Sequence, residues 1–161
     1  MLKDKIKSLG SLRRIVFGLQ KKGKKIIFTN GCFDILHLGH ARYLEDAKSL
    51  GDILVVGVNS DASVKRIKGK SRPIVGQKER ISLIAALESV DFALLFNEDT
   101  PAAAIKTLRP DVLVKGADWK KSDIVGADFV TSRGGKVATV KLVKGLSTSK
   151  IIKKIRTGKL Q

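Results

Sequence analysis

Five short apolar runs, each closed by Gly, Asn, Asp or Pro and separated from the next by a stretch of helical spacing, leave this chain few folds. The runs span Lys25 to Thr29, Ile53 to Asn59, Phe92 to Phe96, Val112 to Lys115 and Lys136 to Leu142. Most are continuously apolar, as in Ile53-Leu54-Val55-Val56, which suits strands buried on both faces and therefore parallel. Helical spacing covers Ala41 to Leu50, Gln77 to Leu87 and Thr100 to Leu108, the last opened by Thr100 as N-cap and Pro101 in the first turn. A basic segment, 1–24, carries a helix from Ser11 to Lys22 that stops at Gly23, and a final helix occupies 147–158, beginning at Ser147. The pattern predicts an α/β fold: a doubly wound parallel sheet of about five strands with helices on both faces.

The 161 residues suit a single domain, 1–161, with no internal repeat and no linker. A hydrophobic content of 43% supports a packed core and excludes a disordered chain. No uncharged stretch approaches the ~18 residues of a membrane span, and Met1 to Gly10 carries four charges where a secretory signal is apolar. The expectation is a soluble, cytoplasmic protein without membrane partners. Cys32 is the single cysteine, which excludes an intramolecular disulfide and a cysteine-based zinc cluster within the chain.

The net charge of +17 lies at the ends. Residues 1–25 hold nine basic and one acidic side chain, residues 133–161 nine basic and none acidic, and residues 26–132 fourteen of each. This distribution resembles a catalytic domain framed by anion-attracting segments more than a uniformly basic nucleic-acid coat. Only eight aromatics are present and no basic-aromatic interleaving is seen, so a nucleic-acid-binding module is the weaker reading. The irregular stretch Lys65 to Gly76, with four basic residues between Lys65 and Lys70, then Arg72, Pro73 and Gly76, reads as a mobile loop.

In a doubly wound sheet, ligands bind beyond the carboxyl ends of the strands, so the residues after each run carry the chemistry. After the first come Asn30, Gly31, Cys32, Phe33, Asp34, then His37, Leu38, Gly39 and His40 at the start of a helix. Gly31 and Gly39 allow close backbone approach. The only two histidines, three residues apart at a helix N-terminus, can donate to phosphoryl oxygens where free N–H groups already favour an anion. A zinc site lacks a third ligand of suitable spacing. Asp34 could orient a hydroxyl, help hold magnesium or cap the helix entry. Cys32 reads as a neutral thiol lining the site.

The segment Gly31 to His40 resembles the Gly-x-Phe-Asp-x-x-His-x-Gly-His signature of the nucleotidyltransferase superfamily that includes cytidylyltransferases and class I aminoacyl-tRNA synthetases. Two further elements follow in order. Lys115-Gly116-Ala117-Asp118-Trp119 lies between the Gly-Asp-Asp-Trp of glycerol-phosphate cytidylyltransferases and the Lys-Gly-Gly-Asp-Tyr of sugar-phosphate adenylyltransferases. Gly145 to Lys150 resembles the Ile-Ser-Thr-Thr element that precedes the last helix. The resemblance implies a Rossmann-like fold and transfer of a nucleotidyl group with pyrophosphate leaving. It assigns His37 and His40 to the triphosphate, Gly116, Asp118 and Trp119 to the nucleoside, and Ser147, Thr148 and Ser149 to the β- and γ-phosphates. Lys65 and Lys68, with Lys70, are flexible phosphate ligands in the basic stretch. Arg80 either grips a substrate phosphate or pairs with Glu79 or Asp91.

Across nearly the whole chain the sequence resembles heptose 1-phosphate adenylyltransferases of ADP-heptose synthesis. The matching stretches are 28–37, Val-Asn-Ser-Asp-Ala-Ser-Val-Lys at 58–65, Ser-Arg-Pro-Ile at 71–74, 85–91 and Glu-Asp-Thr-Pro at 98–101. The resemblance implies ATP and a sugar 1-phosphate as substrates, Mg²⁺ bound mainly through the triphosphate with no metal ligand assigned, and sugar contacts from Glu98 and Asp99. It further implies a homodimer and a separate heptose kinase, since 161 residues leave no room for a fused one. The intermediate character of Ala117-Asp118-Trp119 keeps CTP with glycerol 3-phosphate, and other acceptors such as a flavin or pantetheine phosphate, as alternatives.

Overall fold

A computed structural model describes residues 2–158, so Met1 and 159–161, the limits of the expected 1–161 domain, lie outside the described residues. The apolar runs form β1 (Ile26–Gly31), β2 (Ile53–Asn59), β3 (Phe92–Phe96), β4 (Val112–Gly116) and β5 (Lys136–Val140). They are joined by α1 (Leu2–Lys5), α2 (Leu9–Lys21), α3 (Leu38–Lys48), α4 (Asp61–Lys68), α5 (Gln77–Ala86), α6 (Ala102–Leu108), α7 (Ala127–Ser132) and α8 (Thr148–Thr157). A 3₁₀ turn covers Lys121–Asp123.

Every strand pairing is parallel, in the order β3-β2-β1-β4-β5. The chain therefore winds one way through β1, β2 and β3, then restarts on the other side of β1, which is the expected doubly wound sheet. Alternate residues of one strand feed two cores. Ile26 and Phe28 pack with α2 and α6 through Leu12, Val16, Ile105 and Leu108. Ile27 packs on the other face with Leu44, Ala47, Ile81 and Ile84 of α3 and α5. Burial on both faces is why these strands read as continuous apolar runs.

Several local expectations need correction. Lys65 to Lys68 is not loop but the last turn of α4. Ser60 Oγ accepts from Ser63 N at 3.1 Å, Asp61 sits in the first turn, and the basic side chains cluster at the carboxyl end, where the helix dipole favours them. Gly69, at φ 94°, ends the helix, so the irregular segment is 69–76. Thr100 is not the cap of α6; Pro101 takes the N-cap position, and its carbonyl accepts from Ile105 N at 2.9 Å. Segment 1–24 holds two helices rather than one, and β5 ends at Val140 rather than Leu142.

Candidate active site

The site opens where β1 and β4 part. β1 pairs with β2 over six residues, but with β4 only at Ile27↔Val112 and Phe28↔Leu113. Beyond that, side chains bridge the two strands. The hydroxyls of Thr29 and Tyr43 meet at 2.6 Å and lie 3.0 and 3.3 Å from the Val114 carbonyl. One residue further, Lys115 Nζ donates to Asn30 Oδ1 at 2.5 Å. A cavity of about 560 Å³ stands above this gap, at the switch in winding direction.

The loop after β1 is held in an unusual conformation. Phe33 and Ile35 have φ of 48° and 53°, the left-handed region that β-branched and bulky side chains avoid. Asp34 between them supplies the restraint. Its carboxylate accepts from Arg72 Nε at 2.6 Å, Ile74 N at 2.9 Å and Val75 N at 2.9 Å, while its carbonyl accepts from Thr148 Oγ1 at 2.6 Å. Burial alone would raise this carboxyl, but the Ile74 and Val75 N–H groups and Arg72 together bring it below its usual range. Asp34 borders the cavity, and its carboxylate oxygens are engaged by the 72–75 loop, which makes it a clamp between the two segments.

That clamp delivers the histidines. His37 takes the N-cap position of α3 without a side-chain capping bond, and its ring stacks on His40 with centroids 3.9 Å apart at 21°. Phe33 meets His40 edge-on at 5.4 Å. Among the described residues neither Nδ1 has a hydrogen-bond partner. Burial lowers both imidazoles, and with His37 alongside, His40 falls to about 4. Both rings are therefore neutral at pH 7 in the free protein. The stack requires glycine at 39, because a Cβ there would lie 2.9 Å from His37 Cε1.

The cavity has two unlike wings. Toward β2 and β3 it is mainly polar and charged, with Asn59, Lys68, Arg72, Asp99 and Thr100 beside Ile67 and Pro101, Arg72 being paired with Asp34 and Asp99 with Arg66. Toward β4 and β5 it is largely apolar, with Trp119, Val125, Leu142 and Leu146 beside Asp118. Ser147, Thr148 and Ser149 at the start of α8 close it, and the Ser147 hydroxyl accepts from Lys150 N at 3.3 Å.

The structure thus gathers Asn30, Gly31, Cys32, Phe33, Asp34, His37, Gly39, His40, Lys68, Asp99, Gly116, Asp118, Trp119 and 147–149 around one cavity. Cys32 is held as a neutral thiol, burial pushing its pKa up. Three expected residues lie elsewhere. Lys65 is exposed on α4 outside the lining, and Glu98 accepts from Asn97 N at 3.0 Å outside it as well. Arg80 is 1% exposed and spent on protein acceptors. It donates to the carbonyls of Val75 (2.9 Å), Cys32 and Asn59 (2.7 Å) and to Asp61 Oδ1 (2.9 Å), and pairs with neither Glu79 nor Asp91. Tyr43 also lines the cavity, as do Arg72 and Lys115, which were quoted within the basic stretch and the 115–119 motif but given no role of their own. Lys115 had a signal, a lone charge ending an apolar strand, whereas Arg72 depends on how the 69–76 segment folds back onto Asp34.

Comparison with known proteins shows what this chain is similar to. A family model described as cytidylyltransferase-like matches residues 28–154. The bifunctional protein HldE of Geotalea uraniireducens (strain Rf4) is 53% identical over 157 residues, covering 98% of this chain and 32% of its own length. That of Campylobacter jejuni subsp. doylei is 52% identical, covering 95% and 32%. The chain thus spans about a third of the length of these curated relatives. The crystal structure of the lipopolysaccharide core biosynthesis protein from Thermoplasma volcanium GSS1 superposes with a TM-score of 0.62 at 35% identity, covering 76% of this chain and 98% of that one.

Proposed function

Because the chain belongs to the cytidylyltransferase-like family, we propose that it transfers AMP from ATP to D-glycero-β-D-manno-heptose 1-phosphate, giving ADP-heptose and pyrophosphate. The observation that carries this reading is the stacked, neutral His37–His40 pair at the N-terminus of α3, in a cavity with one polar, charged wing and one apolar wing. The apolar wing, with Trp119, Leu142 and Leu146, suits a purine; the wing of Lys68, Arg72 and Asp99 suits a phosphorylated sugar. The sequence resemblance to heptose 1-phosphate adenylyltransferases supplies the acceptor, and the likeness to a lipopolysaccharide core biosynthesis protein fits it.

In this reaction an oxygen of the sugar phosphate forms a bond to the α-phosphorus while the bond from that phosphorus to the bridging oxygen breaks. Pyrophosphate leaves with the electron pair. The attacking phosphate is already anionic, so no general base is needed, and neutral histidines are adequate because their task is donation to phosphoryl oxygens. What the site supplies is position and positive potential: the histidine N–H groups, the α3 and α8 N-termini, Lys68 and Arg72. Mg²⁺ is taken to enter with ATP, bound mainly through the triphosphate. A kinase acting on the sugar would supply the 1-phosphate, and the whole sequence of steps belongs in the cytoplasm.

The test is pyrophosphate release, crossing ATP and CTP with heptose 1-phosphate and glycerol 3-phosphate. Release confined to ATP with heptose 1-phosphate is the expected outcome. Release with CTP would overturn the base, and silence in every combination would overturn the reading.

A further inference from the structure

Lys115, the penultimate residue of β4, is 9% exposed and lines the cavity where β1 and β4 separate. Its ammonium donates to the neutral Asn30 Oδ1 at 2.5 Å and lies 5.7 Å from the centre of the Trp119 ring. Among the described residues no carboxylate comes within ion-pair distance of it, and Asn30 is its only hydrogen-bond acceptor. A buried ammonium with one neutral partner leaves donors unsatisfied, an arrangement that costs stability unless an anion arrives. The histidine pair lines the same cavity. Tyr43, one helical turn beyond His40, lies 3.3 Å from the carbonyl of Val114, the residue before Lys115.

We infer that Lys115 is a further catalytic cation of this site, whose ammonium contacts the α-phosphate of the bound nucleotide between the histidine pair and the nucleoside wing. The inference deepens the proposed nucleotidyl transfer and rests on it. Asn30 holds the ammonium aimed into the cavity, and phosphate oxygens take its remaining donors. Burial lowers the Lys115 pKa to about 8, with Cys32 and Asp118 acting in the opposite sense. The other titratable groups of the cavity near the gap are Asp34, His37, His40 and Tyr43. Asp34 and the histidines titrate well below 8, and burial pushes the Tyr43 phenol up to about 12. Lys115 is thus the group whose charge is lost as the pH rises through 8.

The experiment compares the wild type with Lys115→Met and Lys115→Arg. Circular dichroism and thermal melting establish that each variant folds. Lys115→Met is expected to lower kcat/KM by about 100-fold, the size of losing one preorganised charge or donor at a transition state, and Lys115→Arg to recover at least about tenfold of it. Calorimetric titration of MgATP at pH 7 and pH 9.5 reads the same charge without turnover. Wild-type affinity should fall at the higher pH toward that of Lys115→Met, which changes little. Turnover of Lys115→Met within about threefold of the wild type, or the same pH dependence of MgATP affinity in both proteins, overturns the inference. A wild type that binds MgATP with this Lys115-dependent pH profile but releases no pyrophosphate would overturn the proposed reaction and leave Lys115 only its contact with the nucleotide.

Discussion

The Asp34 carboxylate and the Arg72 guanidinium meet at 2.6 Å inside the cavity wall, with side-chain exposures of 0% and 16%. Through this pair the loop after β1, which leads into the histidines, and the 69–76 segment, which carries Arg72 to the cavity lining, hold one another in place. The Thr148 hydroxyl adds the start of α8 to the same residue.

Asp34→Ala strands two backbone N–H groups and a guanidinium, and is expected to cost about 3–5 kcal/mol, the range for breaking a buried hydrogen-bonded charge pair. Because the folded-state pKa of Asp34 is depressed, its contribution is fully present above the ordinary carboxylate range and is lost as the pH falls through the lower folded value. Urea denaturation from pH 7 to pH 3 should show a shallower acid loss in Asp34→Asn than in the wild type. Identical acid limbs would contradict the clamp.

His40 should titrate near 4 in the free protein and move upward when MgATP is bound, because a neighbouring polyphosphate favours the imidazolium. Nitrogen-15 NMR of the imidazoles with and without nucleotide measures this directly. A pKa unmoved by saturating MgATP would place the triphosphate away from the pair.

Gly39→Ala puts a methyl 2.9 Å from His37 Cε1 and 3.0 Å from its Nδ1. The ring must yield, so turnover should fall by about tenfold or more, since small misplacements of reacting groups are costly, while the melting temperature changes little. Full activity in this variant would show that the stacked geometry is dispensable.

Arg80→Met should destabilise the fold by about 3–5 kcal/mol, as expected when one partner of a buried polar network is removed, and lower the melting temperature by about 10 °C. In the fraction that stays folded, KM for both substrates should remain near wild type, because the guanidinium touches protein groups only. A specific rise in KM for the sugar phosphate would restore Arg80 to substrate binding.

The two wings separate kinetically. Trp119→Ala should raise KM for ATP by about tenfold, the scale of one lost stacking surface, and leave the acceptor KM alone. Asp99→Ala should do the reverse. Swapped effects would reverse the assignment of the wings.

The strand pattern was legible because burial on both faces forces continuous apolar runs, and Ile53 to Asn59 and Phe92 to Phe96 were found to the residue. The histidine motif was legible because glycines, histidines and a helix start are local features of one segment. The helical turn at Lys65 to Lys68 was obscured by its charges, which favour a helix end once Ser60 and Asp61 are recognised as its start.

Periodicity, glycine placement and helix capping act over a few neighbours, so the parallel sheet and the residue types offered after β1 could be read from the chain alone. Which charges line the cavity depended on the folded chain. Arg80, a candidate phosphate grip in the chain, is consumed by three carbonyls and a carboxylate, while Arg72, read as part of a loop, lines the cavity with its Nε on Asp34. Lys115 meets Asn30 across 85 positions of sequence. A guanidinium or an ammonium takes its role from the acceptors that burial brings within about 3 Å, and those come from distant strands that meet only once the sheet has formed.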